Sequence, residues 1–148
     1  MKTSTVLRYP ARFTKEASGG YSVSFVDFPE GHTQGETKEE AVRMAVDCLS
    51  ACIEYRLEGK EAVPQPSPVK GKAVGIPVPL EIAPKVALYT AMREQKISNL
   101  RLAKQMDVSE NSIRRMLNPK HKSRPEQYTK ALLALGRAVE ISLVSIQD

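Results

Sequence analysis

A proline-rich stretch divides this chain more firmly than any other feature. Residues 62–84 read AVPQPSPVKGKAVGIPVPLEIAP, with six prolines and two glycines. Each proline removes a backbone donor and clashes with the preceding helical turn, so no helix can pass through. A linker is expected near residues 62–71. The segment Lys72–Val78 retains enough apolar residues for a short edge strand, where proline is tolerated at the ends. Two small domains are predicted, residues 1–80 and 81–148, a division that the length of 148 residues allows.

Charge falls unevenly across that division. Residues 1–81 hold ten basic and eleven acidic side chains, a net of −1, whereas residues 82–148 hold twelve and six, a net of +6. The excess positive charge sits in the second half, as expected where only that half meets a polyanion. No run approaches the roughly 20 apolar residues needed to cross a bilayer. The N-terminus, MKTSTVLRYPARF, has no apolar core of the kind a secretory signal needs. Cys48 and Cys52 stand four apart in a predicted helix, poorly placed for a disulfide, and read as small reduced core residues. No membrane contact is expected, and a cytoplasmic location follows.

The first half reads as strand, strand, helix. Leu7, Tyr9, Ala11 and Phe13 alternate with Arg8, Pro10, Arg12 and Thr14, the period of a half-buried strand. After a polar turn ending in Gly19-Gly20, Tyr21, Val23 and Phe25 alternate with Ser22 and Ser24, which predicts a hairpin. His32 to Glu36 is compatible with a short third strand. Thr37-Lys38-Glu39-Glu40 has capping-box form and opens a helix whose inward stripe is Val42, Ala45, Val46, Leu49, Cys52 and Ile53. Gly59 is the expected left-handed C-terminal cap. One amphipathic helix on a small antiparallel sheet, followed by an all-helical domain, places the chain in the α+β class.

In the second half Pro84 starts a helix with Ala87, Leu88, Ala91 and Met92 inward. Ser98 and Ser109 are successive N-caps, each preceded by an apolar residue (Ile97, Val108) and followed four places later by another (Leu102, Ile113), a hydrophobic staple twice over. Ser123 with Glu126 forms a further capping box. Its helix turns Tyr128, Ala131, Leu132, Leu135 and Val139 inward. The tail Ile141–Ile146 reads either as a strand pairing between subunits or as a last helical turn.

Residues 99–118, NLRLAKQMDVSENSIRRMLN, have the layout of a helix-turn-helix. Leu102, Met106, Val108, Ile113 and Met116 are apolar where two packed helices need them, and Ala103 is small where they cross. Asp107 occupies the turn position that adopts a left-handed conformation and is usually glycine, at a cost of about 1–2 kcal/mol. The second helix, Glu110 to Leu117, would lie in the major groove and present Glu110, Asn111, Ser112, Arg114 and Arg115. Asn pairs bidentately with adenine and Arg with guanine. Amides near Ser98, Asn99 and Ser109 suit phosphates, and Lys120, His121, Lys122 and Arg124 are expected backbone contacts. A plain helical hairpin would have the same apolar spacing. Seven basic against two acidic residues in 98–124 favour DNA. The layout resembles the five-helix domains of the phage-repressor and Cro type over about residues 83–140.

Catalysis has a weaker basis. Asp27, Glu36, Glu40 and Asp47 are carboxylates on a sheet-plus-helix scaffold, as in two-metal nucleases, but Glu40 is a cap and Asp47 falls on the polar helix face with Arg43, Ser50 and Glu54. His32 and His121 lie in different domains, so no metal or cofactor is expected. The residues Asp27-Phe28-Pro29-Glu30-Gly31 read as a strand-ending turn.

A family resemblance adds to this. The run Tyr21-Ser22-Val23-Ser24-Phe25-Val26-Asp27-Phe28-Pro29, then Thr33-Gln34-Gly35-Glu36-Thr37 and Glu39-Glu40-Ala41, resembles the N-terminal domain of HicB-type antitoxins through about Gly59. The resemblance implies a reduced ribonuclease-H-like fold without an assigned activity, which blocks a small mRNA-cleaving toxin. It also implies a C-terminal domain that represses the chain's own operon. Many members have Pro-Gly-Cys after the aspartate, whereas this chain has Pro29-Glu30-Gly31-His32, which implies a different loop. Asp27, Phe28 and Pro29 are the expected toxin contacts. The expectation is thus a non-enzymatic antitoxin with two partners, a small basic ribonuclease toxin and double-stranded operator DNA, acting as a homodimer or tetramer. The alternative is a stand-alone transcriptional regulator whose first domain binds a small ligand.

Overall fold

A computed structural model describes residues 7–146. The order of elements is β1 (Arg8–Lys15), β2 (Tyr21–Phe25), β3 (His32–Gly35), α1 (Lys38–Glu58), β4 (Val74–Pro77), α2 (Ala83–Gln95), α3 (Asn99–Met106), α4 (Glu110–Leu117) and α5 (Pro125–Ala134). The class is α+β, with a four-stranded antiparallel sheet and one long helix followed by helices. Described residues 7–53, 64–79 and 143–146 gather into one unit, and residues 54–63 and 80–142 into a second.

The sheet of the first unit has the order β3-β2-β1-β4, every neighbouring pair antiparallel. Gly19 and Gly20, at φ 101° and 79°, turn β1 into β2 through a conformation that side chains resist. Register follows the alternation. Tyr9 lies opposite Ile76, Ala11 opposite Phe25 and Phe13 opposite Val23, which puts the apolar residues on one face. On the other face Arg12, Ser24 and His32 form one cross-strand row, and Thr14, Ser22 and Gln34 another. β4 emerges from the proline-rich stretch as an edge strand, with Pro77 at its end opposite Arg8.

α1 opens where Thr37 Oγ1 accepts from the Glu40 amide at 3.1 Å. Glu40 Oε2 accepts from the Glu36 amide at 3.0 Å, one residue before the position a capping box ordinarily reaches. The buried stripe runs through Ala41, Ala45, Leu49, Cys52 and Ile53. Val42 and Val46, expected in the stripe, are half-buried. The shift has a steric cause at β3. A Cβ on Gly35 would lie 2.4 Å from the Ala41 amide nitrogen and 2.7 Å from its Cα. Strand and helix therefore meet nearly backbone to backbone, and only Gly and Ala fit there. At the other end the expected cap is corrected by one residue: Lys60, not Gly59, takes the left-handed conformation at φ 56°. The Glu61 amide then donates to the Arg56 carbonyl at 2.9 Å and the Lys60 amide to the Leu57 carbonyl at 3.3 Å, the Schellman pattern with Lys60 at C′.

In the second unit α2 to α5 enclose Leu88, Leu102, Ile113, Met116, Tyr128 and Leu132. Each such side chain contributes about 1.5–3 kcal/mol by leaving water. α5 does not begin at a Ser123 cap. Arg124 is the N-cap, at ψ 143°, because the residue before a proline is pushed into extended backbone and Pro125 suits the first helical position. Gln127 Oε1 accepts from the Arg124 amide at 3.1 Å. Gly136, at φ 72°, closes α5 by a left-handed turn in which the Arg137 amide donates to the Leu132 carbonyl at 2.8 Å. The helix therefore stops before Val139, which is exposed. Within the single chain, residues 141–146 form no helical turn and pair with no strand.

Among the described residues, one buried side chain is charged. Lys85 of α2 is 3 % exposed. Its ammonium donates to the Met116 carbonyl at 3.0 Å and to the Tyr128 hydroxyl at 2.8 Å, while that hydroxyl donates to the same carbonyl at 2.7 Å. The ammonium also lies 5.5 Å from the Tyr128 ring centroid, within cation–π range. Loss of water pushes the Lys85 ammonium below the ordinary lysine value.

Two outcomes follow from this packing. Gly35→Ala is expected to cost about 2–3 kcal/mol in urea unfolding, since backbone must move to admit the methyl group. For Lys85, the unfolded chain holds the proton more tightly than the folded one, so stability rises with pH between its lowered value and about 10.4. Unfolding free energies measured from pH 8 to 10 should therefore climb more steeply in the unmodified protein than in Lys85→Met. An equal slope would contradict the assignment.

Candidate functional site

Two regions gather the residues that carry chemistry, one in each unit. In the first unit, Asp27, Phe28 and Pro29 form the loop between β2 and β3. The loop is tight: the Gly31 amide donates to the Phe28 carbonyl at 2.8 Å, and the Phe25 amide to the Gly31 carbonyl at 3.1 Å. The three residues do not share a surface. Phe28 is fully buried, edge-on to Tyr9 at 5.0 Å and to Phe25 at 6.4 Å between ring centroids. That burial makes its side chain the anchor of the loop. Asp27 is half-buried and its carboxylate accepts from both the Ser67 hydroxyl and the Ser67 amide, the latter at 2.8 Å. Together with the Tyr9 hydroxyl, which donates to the Pro64 carbonyl at 2.6 Å, this straps the proline-rich segment to the sheet. Pro29 and Glu30 are exposed.

Sequence reasoning misses the polar sheet face beside this loop. Its rows of Arg12, Ser24, His32 and of Thr14, Ser22, Gln34 are exposed or half-buried. The signal was present in the serines that alternate with Tyr21, Val23 and Phe25. An open depression of about 420 Å³ lies over Ser22, Ser24, His32 and Gln34. A second, of about 450 Å³, lies between Arg12, Thr14 and the strap. Among the described residues, no three His, Cys, Asp or Glu side chains converge at metal-binding distance. Glu40 is committed to the Glu36 amide. Cys48 and Cys52 form no disulfide, and burial first, with Glu30 adding to it, pushes the Cys48 thiol up against the opposing pull of Cys52.

In the second unit α3 and α4 are eight-residue helices joined by a short turn. Asp107 takes the left-handed conformation, φ 54° and ψ 47°, and Lys96 does the same before α3. Ser98 Oγ accepts from the Arg101 amide at 3.1 Å, and Ser109 Oγ from the Ser112 amide at 3.2 Å. The Ser109 and Ser112 hydroxyls also pair, at 3.0 Å. Both are thus engaged within the cap. Asn99 is half-buried in the first turn of α3. Because Ile113 and Met116 turn into the core, Asn111, Arg114 and Arg115 point outward and are exposed. Glu110 Oε1 holds the Arg114 guanidinium at 2.7 Å, one helical turn away.

The loop after α4 adds further cations. The Lys120 amide donates to Asn118 Oδ1 at 2.9 Å and the His121 amide to the Asn118 carbonyl at 3.1 Å, a turn that leaves Lys120, His121 and Lys122 exposed. The Lys120 ammonium lies 3.7 Å from Glu58 Oε1. His121 Nδ1 is 3.1 Å from Ser123 Oγ, and Arg124 pairs with Glu126 at 3.8 Å. Such exposed pairs contribute about 0–1 kcal/mol and exchange readily for other anions.

The chain can be set beside known proteins on this geometry. No helix among the described residues is long and apolar enough to cross a membrane. The family described as HicB_like antitoxin of bacterial toxin-antitoxin system matches residues 8–87, from β1 into the first turns of α2. Antitoxin HicB of Escherichia coli is 39 % identical over 140 residues, covering 95 % of this chain and 100 % of that protein. Antitoxin HicB 1 of Photorhabdus laumondii is 36 % identical over 137 residues, 93 % of this chain and 87 % of the relative. Antitoxin HicB of Pseudomonas fluorescens is 26 % identical over 144 residues. A family match through the whole sheet and α1, with relatives aligned over more than nine-tenths of this chain, means that it belongs to the HicB-like antitoxin family of bacterial toxin–antitoxin systems.

Proposed function

We propose that this antitoxin acts without enzymatic activity, sequestering a small mRNA-cleaving ribonuclease toxin through its first unit and repressing its own operon through its second. The observation that carries the second half is α4. Behind a left-handed Asp107, its apolar residues face the core while Asn111, Arg114 and Arg115 face outward. This arrangement supports a helix-turn-helix reading in which α4 lies in the major groove. In this reading Arg114 and Asn111 read base edges. The backbone is held by the α3 and α4 amides near Ser98, Asn99 and Ser109, and by Lys120, His121 and Lys122. Two copies would be needed for half-sites about one helical turn apart, so the acting species is a homodimer or a tetramer. The chain works in the cytoplasm, where both the mRNA and the operator are found.

For the toxin, Pro29 and its neighbour Glu30 are exposed at the tip of the β2–β3 loop, with Asp27 and Phe28 holding the loop in place. A carboxylate beside an exposed proline suits a basic partner. The depressions on this unit are open to solvent, which favours a protein surface over the enclosed pocket of a small-ligand sensor.

Two measurements test the proposal. In binding titrations with the promoter DNA of its own operon, Arg114→Ala should relax sequence discrimination by about 1–3 kcal/mol. Lys120→Ala should weaken all duplexes alike and reduce the slope of log affinity against log salt by about one. An unchanged specificity profile in Arg114→Ala would remove α4 from the groove. For the toxin, the tagged full-length chain should retain a small basic protein from its native cells and abolish that protein's ribonuclease activity at a fixed ratio. Pro29→Arg should loosen the complex at least ten-fold. Retention of DNA but of no such protein would leave a regulator without a toxin.

A further inference from the structure

The Lys85 ammonium is in an unusual place for a charge. It comes from α2, lies at the C-terminal end of α4, and shares one acceptor, the Met116 carbonyl, with the Tyr128 hydroxyl of α5. The two partners that hold it are uncharged, and loss of water pulls the ammonium below the ordinary lysine value. A methionine of the same length would fill the space without that penalty, and replacing buried charges by apolar groups is often neutral or stabilising. Stability alone does not account for a lysine here.

Its effect on α4 does. A helix of eight residues has few internal bonds, and the carbonyls of its last turn have no partners within the helix. The Asn118 amide takes the Arg115 carbonyl at 3.2 Å. Met116 is the next, and it receives two donors from two other helices. The positive charge also sits at the negative end of the α4 dipole. Apolar contacts through Ile113 and Met116 keep α4 in the core but leave its rotation and axial position loosely fixed, since they have no direction. Two hydrogen bonds converging on one oxygen do have direction. A shift of about 1 Å in α4 would carry the Arg114 fork out of bidentate range of a guanine edge.

We infer that Lys85 is a positioning residue for sequence reading: with Tyr128 it fixes the pose of α4, and so sets the specificity of the DNA site without touching DNA. The inference rests on the reading of α4 as the groove helix. Full-length Lys85→Met, Tyr128→Phe and the double variant are compared with the unmodified chain on promoter DNA and on an unrelated duplex, with thermal melts in parallel. Lys85→Met should reduce the preference for promoter over unrelated duplex about ten-fold, while affinity for the unrelated duplex, its salt slope and the melting temperature hold nearly constant. The double variant should lose little more than Lys85→Met, because both side chains act through one carbonyl. An undiminished preference in Lys85→Met overturns the inference. So does an equal fall in both affinities together with a lowered melting temperature, which marks a residue of purely structural use. If the unmodified chain shows no preference for promoter DNA, the groove reading itself fails, a result seen before any variant is measured.

Discussion

Two eight-residue helices have too few internal hydrogen bonds to persist on their own, and the second unit is organised around that constraint. Isolated helices shorter than about 12–15 residues are marginal in water. α3 and α4 persist because their ends are tied: Ser98 and Ser109 cap the starts, Asp107 turns the chain between them, and Lys85 with Tyr128 takes the Met116 carbonyl in the last turn of α4. Leu102, Ile113 and Met116 then have fixed positions from which to enter a common core with Leu88 and Leu132. A helix held at its ends and on its inner side has an outer face free of structural duty. On α4 that face carries Asn111, Arg114 and Arg115.

The first unit solves a related problem with shape. β3 is four residues long and lies at the edge of the sheet. It is held by pairing with β2 on one side and by the close approach of Gly35 to Ala41. The glycine in Thr33-Gln34-Gly35-Glu36-Thr37 therefore has a packing reason, and the Thr37 cap begins the helix at the point where the backbones are closest. The serine-rich opposite face, with Arg12, His32 and Gln34, is left to solvent, as antiparallel sheets commonly leave one face.

Much of this was legible in the residues. Alternation gave β1 and β2, the capping box gave the start of α1, and Ser98, Asp107 and Ser109 gave the bounds of α3 and α4. Local chemistry sufficed in each case. Where several local rules competed, the reading slipped by one residue: Pro125 moved the cap of α5 from Ser123 to Arg124, and Lys60 took the left-handed position that Gly59 suits better. What depends on distant partners was not legible. Phe28 reads as part of a loop until Tyr9 and Phe25 are placed around it. The burial of Lys85 was not legible either, since lysines are almost never fully buried unless paired. Its spacing from Leu88 and Met92, three and seven residues on, is that of the inward stripe, and a phenol on the facing helix was the other half of the signal.

The strand order has a consequence for how the molecule comes into being. β1 is made first, and its hairpin with β2 needs only a short turn, so those two can pair as soon as both exist. Its other neighbour is β4, whose Pro77 pairs with Arg8 only after α1 and the whole strap have been made. Contacts between positions so far apart in the chain carry a loop-closure cost that slows their formation. During that interval β1 shows an open edge to which another strand could pair. The earliest strand is thus also the last to be completed, and its closure waits on the very segment that separates the two halves of the sequence.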